Sequence, residues 1–243
     1  MERVSETARE PLRRLVERLR AALGDNLRSV TVVGSSLTED FHPGVSDINT
    51  VAVLDEHTLA TLQAVAALVR PLGRQNLSPP LLMTPLYIER SHDVFGVEFL
   101  DFQLTHETIF GDDPFASLSM QRAGVRLECE RELKAMLVRL RQGYLAAAGN
   151  RKIVRDILIA TGKGLAPVAR ALLWLKDVAR PPAMEAALRK AGGEFDVDLS
   201  AAIAAERWRY EKPRLTDAEV ESAFISIVAA VDTLARRVDK LEP

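Results

Sequence analysis

Between Val30 and Val53 the chain reads V-T-V-V-G-S-S-L-T-E-D-F-H-P-G-V-S-D-I-N-T-V-A-V. An apolar run stops at Gly34-Ser35-Ser36, and eleven residues, Ser36 to Ser46, lead to Asp47 and Asn49, which open a second apolar run. Residues 47 and 49 are two apart, so on an extended chain their side chains share one face. A Gly-Ser turn beside two convergent oxygen ligands suits a metal-bound triphosphate. Backbone N–H groups and hydroxyls hold phosphate oxygens, while Mg²⁺ bridges carboxylate and phosphate. Further acids stand in Val94-Phe-Gly-Val-Glu98-Phe-Leu-Asp101-Phe102. Glu98 and Asp101 are three apart, so on a strand only one of them faces Asp47.

The elements that must carry these residues follow from periodicity. Leu12, Leu15, Val16, Leu19 and Leu23 predict an opening helix, with Pro11 suited to its first turn and Gly24 to its end. Ser29 to Val33 and Ile48 to Leu54 read as strands, and Thr58 to Val69 as a helix closed by Pro71 and Gly73. Leu81 to Met83 reads as a strand, Thr84-Pro85 as the cap of a short helix, and Val94 to Phe102 and Glu107 to Phe110 as further strands. After Phe115 the pattern is helical throughout. Leu133, Met136, Leu137, Leu140 and Tyr144 form one stripe, and Ile153 to Leu175 forms one or two helices broken near Gly162-Lys163-Gly164. Thr216 and Asp217 open a last helix with Phe224, Ile227, Val228, Val231 and Leu234 along one face. The expected fold is α+β (α/β-type): a sheet domain over 1–117 followed by an all-α helical bundle over 118–243.

Charge divides the chain at the same place. Residues 1–116 hold ten Arg, no Lys and seventeen acids, −7, which leaves +5 for the remainder of a chain whose net charge is −2. That balance argues against broad nucleic-acid binding. The lone Cys129 excludes a disulfide framework. No run of eighteen apolar residues and no signal-peptide pattern is present, so no membrane association is expected and a cytoplasmic location is.

The segment Gly34 to Asn49 resembles the nucleotidyltransferase superfamily, typified by DNA polymerase β and kanamycin nucleotidyltransferase. Those proteins show an apolar strand, Gly-Ser, about ten residues, then Asp-x-Asp or Asp-x-Glu, with a third acid later. The stretch from Glu98 to Phe115 is similar to the end of a stand-alone bacterial member, and the helical remainder to the bundle that follows it in kanamycin-type members. The resemblance implies Mg²⁺-dependent transfer of a nucleoside monophosphate to an acceptor hydroxyl, with the acceptor unknown. It implies nucleotide binding at Gly34, Ser35 and Ser36, a metal held by Asp47, Asn49 and Glu98, and catalysis by Asp47, Glu98 and Asp101. Glu98, Asp101 or Glu130 would serve as general base, and Lys152, Arg155 and Lys163 as added phosphate contacts. A homodimer or a protein partner is also implied. Position 49 departs from the pattern, because the family has an acid there and this chain has a neutral Asn. Either Glu39 or Asp40 compensates, or the enzyme is slow, or catalysis is lost and the fold binds nucleotide or a partner, for example as one half of a toxin–antitoxin pair.

Other motifs are structural. Thr161-Gly-Lys163-Gly has neither the upstream Gly nor the following Ser or Thr of a phosphate loop. His42, His57, His92 and His106 form no ligand pair at helical spacing, and Cys129 and Trp174 read as packing residues. Trp208 packs likewise or lines an acceptor pocket.

Overall fold

Leu12, Leu15 and Leu19 are buried along one side of α1 (Glu6–Leu23) in the computed structural model, which describes residues 1–242. Pro11 sits beyond the first turn of α1, where its missing N–H removes one backbone hydrogen bond. The chain divides into two compact units, Met1–Asp93 with Asp101–Ser119, and Val94–Leu100 with Met120–Pro243.

The first unit is built on a four-stranded sheet of β1 (Leu27–Val33), β2 (Asn49–Leu54), β3 (Leu81–Met83) and β4 (His106–Phe110), in the order β3-β2-β1-β4. β1 pairs antiparallel with β2 and β4, and β2 pairs parallel with β3. Between β2 and β3 runs α2 (Leu59–Leu72), whose N-cap Thr58 accepts from the Thr61 N–H. Strand side chains alternate. Val30, Val32, Ala52 and Leu54 join Leu12, Leu15 and Leu19 of α1 and Val65 of α2 in one apolar cluster. The opposite face carries Ser29, Thr31, Val33, Asn49, Val51 and Val53. After β3 comes α3 (Pro85–Ser91), capped by Thr84 as the sequence suggests.

Val94 to Phe102 is not a strand. It belongs largely to α4 (Gly96–Leu104), whose buried residues Gly96, Val97, Phe99 and Leu100 are three apart in two pairs, the spacing of a helix face. α4 shares its sequence between the two units.

The second unit adds α5 (Arg122–Ala147), α6 (Arg151–Leu175), α7 (Met184–Glu194), α8 (Ser200–Glu211) and α9 (Asp217–Asp239). α6 is its centre and touches α5, α7, α8 and α9. The expected break at Gly162-Lys163-Gly164 does not occur: α6 runs unbroken through both glycines and Pro167. Gly162 instead permits close packing, because a Cβ there would lie 2.6 Å from the Ala202 carbonyl of α8. Among the described residues α6 alone is long and apolar enough to cross a membrane, and 61% of its apolar window is buried within the protein. Cys129 is fully buried in α5; burial pushes its thiol pKa up, and Glu128 adds to the rise, so it is no nucleophile.

Candidate functional site

β1 ends at Val33, and Gly34 takes φ +81°, a backbone conformation that glycine adopts without steric cost. The chain then makes a 3-10 turn over Ser35–Leu37. The Gly34 N–H donates to the Thr105 carbonyl at 2.9 Å, so it is not open to a phosphate. The amides of Ser35 and Ser36 open the turn and have no partner within it. The Ser36 hydroxyl is buried and unpartnered, whereas Ser35 is half-exposed, so Ser35 is the hydroxyl accessible to a ligand in this conformation.

Before β2 a tight loop delivers Asp47. The His42 N–H donates to Ser46 Oγ at 3.0 Å, and the Ser46 N–H to the His42 carbonyl at 2.8 Å. Ile48 is buried in the core and is held on both sides of its backbone: its N–H donates to Asn76 and its carbonyl accepts from Ser78. Alternation about Ile48 turns residues 47 and 49 to the other side. Asp47 is exposed and Asn49 half-buried. Asn49 stands directly opposite Val33, and its Nδ2 is the nearest atom, at 4.0 Å, to where a Cβ on Gly34 would be. Turn and acid strand are thus neighbours.

The two later acids have different surroundings. Thr105 donates from its N–H and its hydroxyl to the Asp101 carbonyl, at 3.0 and 2.9 Å, and its own carbonyl accepts from Gly34. The last turn of α4, with the half-buried Asp101, is therefore tied to the Gly-Ser turn within the first unit. Glu98 is exposed and belongs to the second unit, where it acts on the carboxyl of Glu128 and raises its pKa. Glu98 and Asp101 are three apart on a helix rather than a strand, so they share a helix face instead of pointing to opposite sides. Glu128 is 5% exposed and accepts from the Val97 N–H at 2.9 Å, while its Oε1 has no hydrogen-bond partner. Burial raises its pKa; the Val97 bond opposes this, Glu98 reinforces it, and the result is about 7.

Glu130 makes a poor base. Lys134 and Arg126 hydrogen-bond its carboxylate and hold its pKa below the usual range. Glu39 is exposed, and Asp40 is half-buried and accepts from the Thr38 hydroxyl at 3.4 Å. Lys152 and Arg155 line a cavity of the second unit together with Arg214, whereas Lys163 is exposed on α6 and does not line it. Trp208 is buried, and its carbonyl accepts from Arg155 at 2.8 Å.

From sequence His106 reads as a structural histidine, and the fold gives it a place beside the candidate site. It faces Val33 from the β4 side as Asn49 does from the β2 side, which places it in the same row of the sheet. Its Nε2 lies 2.8 Å from Asp113 Oδ2, and its Nδ1 is buried without a partner. Burial pushes the Asp113 carboxyl up, but the bonds from His106 and from the Phe115 N–H outweigh it, so its pKa is lowered. The available signal was the strand pattern of Glu107 to Phe110, extended by one residue.

The residues suit an Mg²⁺ ion that arrives with a triphosphate better than a resident ion. Among the described residues no three His, Cys, Asp or Glu side chains converge on one point. One carboxylate, Asp47, stands beside the amide of Asn49. Mg²⁺ is commonly held by one or two carboxylates, with water and substrate phosphate completing its shell.

No protein-family model matches this sequence, and no curated protein matches it significantly. Its structure, however, is similar to the crystal structure of spectinomycin adenyltransferase AAD(9) from Enterococcus faecialis with ATP and spectinomycin. The TM-score is 0.61 at 12% identity, over 95% of this chain and 99% of that one. The two chains share a fold. Its sheet unit precedes a helical part, as the Gly34–Asn49 pattern suggests.

Proposed function

We propose that this protein moves a nucleoside monophosphate from a nucleoside triphosphate to a hydroxyl of a small molecule or partner protein. The observation that carries the reading is the joining of three features in one unit: Gly34-Ser35 at the end of β1, Asp47-x-Asn49 at the start of β2, and Asp101 tied through Thr105 to Gly34. AAD(9), whose fold is similar, is described with ATP and a small acceptor, which supports the same chemistry here. Kanamycin-type organisation remains part of the proposal.

Ser35 and the amides that open its turn would hold the β and γ phosphates. Asp47, with Asn49 and an acid of α4, would hold Mg²⁺, which when bound neutralises charge developing on the phosphate oxygens. Asp101, half-buried beside the turn, would orient the acceptor hydroxyl or take its proton.

A second reading rests on Asn49. With a neutral amide where an acid is expected, the site would bind nucleotide and turn over slowly or not at all, and the fold would serve to engage a partner. Calorimetric titration of ATP and GTP with and without Mg²⁺ tests the shared part. Binding that requires Mg²⁺ and disappears in Asp47→Ala supports both readings, and absence of binding under either condition rejects both. Pyrophosphate release in an acceptor screen then separates them.

A further inference from the structure

At the Arg28 end of β1 the sheet unit encloses a second cavity, of about 500 Å³. Ser29, which lines it, is five residues from Gly34, about 16 Å along a strand, so this space is separate from the Gly-Ser turn. Its floor is apolar: Val53, paired with Ser29 in the sheet, with Ile88 of α3 and Leu118. Ser29 is only 2% exposed, and its hydroxyl has no hydrogen-bond partner among the described residues. A ligand donor or acceptor in the cavity would give that hydroxyl a partner.

The charges at the rim do not balance. Glu89 and Asp112 are exposed acids with no ion-pair partner among the described residues, and Asp113 is held by His106. The one lining cation apart from histidine, Arg28, is engaged by Asp55 at 2.6 Å. His92 turns its Nδ1 to the Glu89 carbonyl at 2.6 Å. An anion would meet three carboxylates here, and a bare metal ion would find an apolar floor.

We propose that this cavity binds a small organic ammonium ion. Its cationic head sits between Glu89 and Asp112, its apolar body lies on Val53, Ile88 and Leu118, and a polar group on that body meets Ser29. The volume lies within the 300–1,000 Å³ typical of small-molecule sites. The inference is independent of what the Gly34 turn binds.

Benzylamine, benzyl alcohol and benzoate are suitable probes of one shape and three charges. Titrated into the ¹⁵N-labelled full chain, benzylamine should give saturable amide shifts at Ser29, Val53, Ile88 and Leu118, with Kd of about 1 mM as expected for a fragment. Benzyl alcohol should bind roughly tenfold more weakly and benzoate not at all. Glu89→Gln combined with Asp112→Asn should remove the preference for benzylamine over benzyl alcohol and leave the alcohol's own affinity in place. The proposal is overturned if benzylamine produces no saturable shift in these residues, or if the alcohol or benzoate binds the unaltered protein as well as benzylamine does. Because that comparison uses the native chain, it decides the matter even if the double variant fails to fold.

Discussion

At the residue scale the decisive position is Asn49. It stands where the turn, Asp47 and the first row of the sheet meet, yet it brings no charge. Asn49→Asp should tighten Mg²⁺-dependent ATP binding by about tenfold or more, since Mg²⁺ favours anionic oxygen. Calorimetry of the variant checks this, and unchanged affinity would show that residue 49 does not face the metal. Glu128 makes a prediction of another kind. Its pKa is raised from 4.5 to about 7, so between those values the native state binds more protons than the unfolded one. Stability is therefore greatest below the unfolded pKa, declines as pH rises through about 7, and levels off above it. Comparing urea unfolding at pH 5 and pH 8 should show a loss of roughly 2–3 kcal/mol in the native protein. Glu128→Gln should abolish most of that slope, and an equal slope in the variant would place the titration elsewhere.

The elements depend on local devices that can be tested one by one. α9 opens with a reciprocal cap: Thr216 Oγ1 accepts from the Glu219 N–H, and the Glu219 carboxylate accepts from the Thr216 N–H. Thr216→Ala should cost about 1 kcal/mol, measured by chemical unfolding. Within α6 the two glycines should respond in opposite directions. Gly162→Ala places a Cβ 2.6 Å from a backbone carbonyl of α8 and should destabilise by about 1–3 kcal/mol, although alanine is the better helix former. At Gly164 the nearest atom is Met136 Cε at 3.6 Å, an ordinary contact, so Gly164→Ala should stabilise by up to about 1 kcal/mol. If both substitutions destabilised alike, close helix packing would not be the reason for Gly162. The sequence treats both glycines as one breaker, because periodicity carries no information about which helix approaches a given turn.

For the molecule as a whole, two compact units in one chain make the thermal response to nucleotide informative. A ligand that binds only the folded form at a hundred times its Kd contributes about 2.7 kcal/mol. If ATP with Mg²⁺ binds at the Gly34 turn, scanning calorimetry should show a shift of several degrees that Asp47→Ala abolishes. Where the two units melt separately, only the sheet unit's transition should move. A shift that survives Asp47→Ala would place the nucleotide elsewhere.

Much of this architecture was legible in the residues. The Gly-Ser turn, the Asp47-x-Asn49 strand start, the Thr84 and Thr216 caps and the sheet-then-helix order all rest on local chemistry: φ preference, alternation and side-chain-to-backbone bonds. Val94 to Phe102 was misread because a short apolar run with regularly placed acids fits either period, and its burial is set by residues distant in sequence. That tertiary choice made α4 a helix, tied Asp101 to Gly34 through Thr105, and paired Glu98 with Glu128. It also brought Asp113 back to His106 and placed Ser29 in the wall of a cavity. Only the folded chain could decide these matters, because each depends on two segments meeting that no local spacing relates.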